Sequence, residues 1–168
     1  MRGNERWLLE LMAGTLFLLL LAWVCLEDLR RREIPDRIGV LLVAAGLCCH
    51  IAGISPPGCG PGPLEFSERL AGFFCVSIPL GTAACLAPGS FGGGDIKLCA
   101  AGGFFLGWKA MLSAGALAVL SAGAAVAVFL LTGRISRREG IPFGPFLCLG
   151  MTAAFFLGEE LARWYVGK

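Results

Sequence analysis

The amino-acid sequence predicts an all-α fold: a polytopic membrane helix bundle of about six transmembrane helices, forming one domain over residues 1–168. Three observations predict it. Of the 168 residues, 57% are hydrophobic and only 15% charged, and the mean hydropathy of +0.77 lies far above that of a water-soluble domain. Apolar runs of spanning length recur along the chain, each stopped by a Pro/Gly cluster or a basic loop. At roughly 20 residues per span, six spans use about 120 residues and leave only short loops, so no separate soluble catalytic domain is expected.

The first run, Trp7 to Leu26, is interrupted only by Glu10 and ends at Glu27-Asp28-Leu29-Arg30-Arg31-Arg32. It is too long for a signal-peptide core and lacks a small-residue cleavage site, so it is expected to stay as a helix. The second, Ile38 to Ile54, is short but adequate if its flanks contribute. Pro56-Pro57-Gly58 and Gly60-Pro61-Gly62-Pro63 then make a loop. The third run, Leu70 to Ala87, contains Pro79, which a membrane helix tolerates as a kink when neighbours satisfy the freed carbonyl. After Pro88-Gly89-Ser90, the 34 residues from Leu98 to Leu131 are too long for one span and are expected to divide near Gly107-Trp108-Lys109. The last run, Phe143 to Leu161, ends near Arg163-Trp164-Tyr165, residues suited to a membrane interface.

Charge sets the orientation. Loop 28–37 holds four arginines and loop 133–142 three, whereas 55–63 holds none, which places the basic loops in the cytoplasm. The formal charge is only +2, with no basic face of the kind that binds nucleic acid, so the lipid bilayer is the expected environment and no nucleic acid the expected partner. Eight cysteines include no CxxC pair, and the only histidine is His50. No metal site, cofactor or disulfide framework is expected, and the cysteines read as small core residues. Gly103 and Gly107 form a GxxxG, and Ala114, Ala118 and Ala122 a small-residue stripe, as close helix packing in lipid requires.

Two carboxylates are candidates for chemistry. Asp28 ends the first helix and Asp95 begins the fourth, with two spans between them, so both return to one side of the membrane. Ionisable groups near bilayer depth cost roughly 2.5 to 3.5 kcal/mol on insertion scales and are functional candidates by default. Two structural readings stand beside this one: Asp28 as a charge flanking the first span, and Asp95 as a helix N-cap. Gly92-Gly93-Gly94 before Asp95 permits positive φ and close approach of an extended peptide. In a two-carboxylate site one ionised Asp takes a proton from water while the other, protonated, donates to the scissile carbonyl, and the pair shares a proton. The chain has no G-x-S-x-G, P-loop or HExxH for other mechanisms. A different class, a small transporter or assembly subunit lining a polar cavity with Asp28 and Asp95, stays open at this point.

Asp28-Leu29-Arg30 with Ile34-Pro35-Asp36, then Gly92-Gly93-Gly94-Asp95-Ile96-Lys97-Leu98, then Ile141-Pro142-Phe143-Gly144-Pro145-Phe146, resemble the type IV prepilin peptidase family of GxGD membrane aspartic proteases. The resemblance implies an inner-membrane enzyme of six or more helices that removes the basic leader of prepilin-like proteins at the cytoplasmic face. It implies Asp28 and Asp95 as the catalytic pair, and substrate binding or positioning by Arg30, Pro35, Asp36, Gly92, Gly93, Gly94, Lys97, Pro142 and Gly144. Glu27, Glu33, Asp36 and Glu139 are acidic residues placed to meet a basic leader, although solvated loop charge also accounts for them. The chain departs from the family pattern in having Asp36 where Asn is usual. It also lacks the paired CxxC motifs of longer members, and so resembles a short, single-domain form to which methyltransferase activity is not carried over.

Overall fold

The computed structural model describes residues 3–59, 62–87, 92–133 and 142–166. The basic segment 134–141, with Glu139 and Ile141, lies outside the described residues, as does the side chain of Tyr165. Among the described residues seven α-helices follow one another: α1 (Gly3–Arg31), α2 (Asp36–Ala52), α3 (Phe66–Cys75), α4 (Ser77–Leu86), α5 (Gly93–Leu106), α6 (Trp108–Leu131) and α7 (Gly144–Val166), with a short 3-10 helix, Pro57–Cys59, between α2 and α3. Since α3 and α4 make one kinked rod, the described residues form six rods. Arg6–Arg31, Phe66–Leu86 and Trp108–Leu131 are long and apolar enough to cross a membrane.

At 1.5 Å per residue, the 29 residues of α1 reach about 44 Å, longer than a hydrocarbon core of roughly 30 Å. Phe17, Leu20, Leu21, Val24 and Asp28 are buried, a stripe at helical spacing that carries the carboxylate inward on the same face as the core. Arg30 and Arg31 fall on the outer face, where Arg31 pairs with Glu27 at 3.0 Å. The helix stops where Arg32 takes a left-handed φ of 53° and donates its N–H to Asp28 O at 2.9 Å. Pro35, with φ −65° and ψ 130°, then opens α2, whose Ile38, Leu42, Gly46 and Cys49 face the core.

The third rod differs from expectation in two places. It begins at Phe66 rather than Leu70, because Glu65 and Glu68 cap its first turn, the Glu65 N–H donating to Glu68 Oε2 at 3.3 Å. The early start draws Arg69 into the bundle, where it is wholly buried. The kink falls at Val76 rather than at Pro79 itself. Pro79 lacks an N–H and its ring crowds the carbonyl four residues back, that of Cys75, so the break appears one turn upstream. The ladder resumes with the Leu80 N–H on Val76 O at 3.0 Å.

Helix α5 is the axis of the bundle: every residue from Leu98 to Leu106 is buried. Phe105 stacks on Phe17 of α1 at 4.4 Å between ring centroids. Gly72 of α3 and Gly103 of α5 meet so closely that a Cβ on either would overlap the other's carbonyl oxygen. Gly103 of the GxxxG therefore serves packing. Gly107 does something else: its φ of 79° and ψ of 168° break the chain between α5 and α6, a conformation open to glycine, and the division falls within the expected 107–109. Ala114 and Ala118 are buried against α7, where a Cβ at Gly150 would overlap the Ala114 carbonyl. Ala122 is only half-buried. Cys49, Cys99 and Cys148 belong to the same core.

Candidate active site

Asp28 reaches the site because it continues the inward stripe of α1. It is 6% exposed, and its Oδ2 is buried without a hydrogen-bond partner. Gly144, the first residue of α7, lies so close that a Cβ there would overlap Asp28 Oδ2. The carboxylate thus stands at the N-terminus of α7, whose unpaired amides and dipole favour negative charge.

Asp95 occupies the third position of α5 and is 8% exposed. The Gly92 N–H donates to its Oδ2 at 3.2 Å, so the side chain reaches back to close the helix start from inside the first turn, not from the N-cap. Capping and exposure to a cavity therefore coexist in one carboxylate. Each acid sits at the positive end of a helix.

Both line one open cavity of about 610 Å³, shared with Pro35, Asp36, Gly92, Gly93, Gly94 and Lys97. An even number of intervening rods has brought the two helix ends to the same place. Arg30 is exposed and does not line this cavity, and Pro142 is half-buried beside it in sequence to Gly144 without lining it either. Arg32, Glu33, Ile34 and Arg37 complete the wall. Sequence reasoning assigned Arg32 and Arg37 to topology, and the signal that could have found them is the tight turn at Arg32, after which the segment 32–37 lines the cavity.

The three glycines divide their work, and none needs a positive φ. Gly92 is extended, with φ −75° and ψ 146°, and Gly93 and Gly94 are already helical. The positive φ that glycine permits is not used here, and space is what the run provides. A Cβ on Gly94 would lie 2.9 Å from Ile34 Cβ, one on Gly92 3.3 Å from Asp95 Oδ2, and one on Gly93 would meet nothing within 4 Å. Gly94 lets α5 pack under the 32–37 segment, and Gly93 keeps the cavity floor bare. Across the mouth, Lys97 Nζ pairs with Asp36 Oδ1 at 2.6 Å.

Residues 15–162 match the type IV leader peptidase family. The chain belongs to that family. Among curated relatives it is similar to the prepilin leader peptidase/N-methyltransferase of Bacillus subtilis, with 32% identity over 94% of this chain and 60% of that protein. The protein of the same name from Aeromonas hydrophila is 32% identical over 91% of this chain and 53% of its own length. That from Legionella pneumophila is 27% identical over 90% and 53%. The chain thus spans 53% to 60% of the length of these relatives. No solved structure matches it. Membership of this family and the three long apolar helices make the chain a membrane protein.

Proposed function

We propose that the chain is an aspartic endopeptidase of the cytoplasmic (inner) membrane that removes the basic leader of prepilin-like precursors at the cytoplasmic face. The observation that carries this reading is the pair of buried carboxylates, Asp28 and Asp95, lining one open cavity from two helix ends. Family membership favours a leader peptidase over a transporter. The N-methyl transfer in the relatives' names is not part of the proposal.

In the reaction, the ionised carboxyl takes a proton from a water whose oxygen attacks the scissile carbonyl carbon, while the protonated carboxyl donates its proton to the carbonyl oxygen. The resulting gem-diol collapses as the first carboxyl passes its proton to the departing nitrogen and the second takes one back from a hydroxyl. The C–N bond breaks, one water is consumed and the pair is restored. Gly92 and Gly93 leave room for an extended peptide over Asp95. The precursor's apolar helix enters the membrane and its leader stays outside, so the bond to be cut arrives at the depth of the two acids.

The test is co-expression with a candidate precursor, following leader removal by gel mobility. Asp28→Asn or Asp95→Asn is expected to abolish processing. Full processing by either variant, beside an active wild type, overturns the two-aspartate mechanism.

A further inference from the structure

A second concavity opens beside the carboxylate cavity. It is an apolar groove of about 840 Å³ between α2, the α3–α4 rod and α5, and it shares Asp36 and Lys97 with the first. Its walls are Val40, Leu47, Phe74 and Ile78, all exposed large hydrophobics. Its floor is small: Gly39, Ala44, Ala100 and Ala101, with α2 and α5 near enough at Gly39 that a Cβ there would meet Ala101 Cβ at 3.9 Å.

The geometry points to this groove as the seat of the first two turns of the precursor's apolar helix, the segment that follows the cleaved bond. The inference rests on the peptidase reading above and adds where the uncleaved part is held. Three features fit that occupant. The groove runs directly from the residues that follow Asp95, Ile96 and Lys97, so a chain extended across the carboxylates continues into it without reversing. From Gly39 to Leu47 it covers nine residues of α2, a rise of about 12 Å or two helical turns. A floor of glycine and alanine lets a second helix backbone approach closely, which is how helices associate in lipid, where apolar burial gives no drive of its own. The Asp36–Lys97 pair marks the junction at which the substrate passes from extended to helical.

The experiment uses the full chain in membranes with a photo-crosslinking residue at Ile78, and Asp95→Asn to hold the precursor uncleaved. The probe substrate is a precursor made of a basic leader, a glycine and an apolar helix. We expect an adduct that maps to the first two turns of that helix, and none from the same probe at Val119, an exposed apolar position on α6. Val40→Trp, which fills the groove, is expected to lower the Ile78 adduct at least fivefold and, with the Asp95 acid restored, to raise KM for the precursor at least tenfold. An adduct to lipid alone, or equal adducts from Ile78 and Val119, overturns the groove assignment, as does an unchanged adduct yield in Val40→Trp. Cleavage by the wild type is scored separately: its failure beside a mapped Ile78 adduct counts against the peptidase reading and leaves the groove in place.

Discussion

The two ends of α5 handle buried charge in opposite ways. At its C-terminal end Arg69 is fully buried, and its guanidinium donates to Phe104 O at 3.4 Å, Phe105 O at 3.2 Å and Ile54 O at 3.2 Å. Phe104 O and Phe105 O are orphan carbonyls of the last turn of α5, Ile54 O lies just past the C-cap of α2, and a cation there also meets the negative end of the α5 dipole. At the N-terminal end Asp95 gains one backbone donor, Asp28 Oδ2 gains none, and both face an open cavity. Each end leaves one buried atom without a partner, Arg69 Nε and Asp28 Oδ2, but the other Arg69 donors tie three carbonyls together, whereas the carboxylates open onto a cavity that something from outside can enter. On the proposed mechanism, stability belongs to one end of α5 and chemistry to the other.

Variants at the two ends should separate these properties. Asp28→Asn or Asp95→Asn removes an acid–base group that contributes roughly 10²- to 10⁴-fold to rate, so precursor cleavage is expected to fall by about 10³. The Tm in detergent should stay level or rise, since Asn keeps the shape of the side chain while removing an ionisable group from a buried position. Arg69→Met is expected to do the reverse. Leaving buried carbonyls without their charged donor costs roughly 3 kcal/mol, visible as a lower Tm, while the folded fraction retains its turnover. Equal loss of stability from both substitutions would erase the distinction between the ends.

Much of this architecture was legible in the sequence, and the reasons differ by feature. Apolar runs read out the rods because the bilayer demands length, and Gly107 punctuates an otherwise unbroken stretch. Asp28 and Asp95 stood out because carboxylates are costly near lipid and their spacing returns both to one side. Arg69 was not legible: a lone arginine at the edge of an apolar run looks like a solvated flank until the capping of α3 by Glu65 and Glu68 is seen to start the helix earlier. The inward face of α1 was equally hidden, since an apolar helix surrounded by lipid shows no polar side from which to infer the other. The wall residues Arg32, Ile34 and Arg37 depended on one left-handed residue, and nothing in Arg30-Arg31-Arg32 announces which of the three will turn.

Within the chemical end, the glycines allow a finer division. Gly94→Ala forces Ile34 away at its β-carbon, which sits 2.9 Å from the added methyl, and overpacking of this kind costs roughly 1 to 3 kcal/mol. Because Ile34 belongs to the wall of the cavity that holds Asp28 and Asp95, cleavage should fall along with Tm. Gly93→Ala meets nothing within 4 Å and replaces a flexible residue in the first turn, so its Tm is expected to rise, by at most about 1 kcal/mol of stability. Measured side by side, the two variants show whether the glycine run serves packing or access. If Gly93→Ala destabilises as much as Gly94→Ala, the run serves the fold alone.

The smallest effect is expected at the cavity mouth, where Asp36 faces Lys97. Its pair with Lys97 is short, but the side chains are 70% and 63% exposed, so solvent and counter-ions screen it and its contribution should not exceed about 1 kcal/mol. Asp36→Asn keeps an acceptor for Lys97 and removes only the charge. The Tm difference from the wild type should therefore be small in low salt and vanish near 1 M salt, where the screening length falls to about 3 Å. A difference that survives high salt means that the pair is a structural strut tying α2 to α5. In that case the satisfied charges of this molecule are not confined to the Arg69 end, and the contrast between the two ends of α5 narrows to the carboxylates alone.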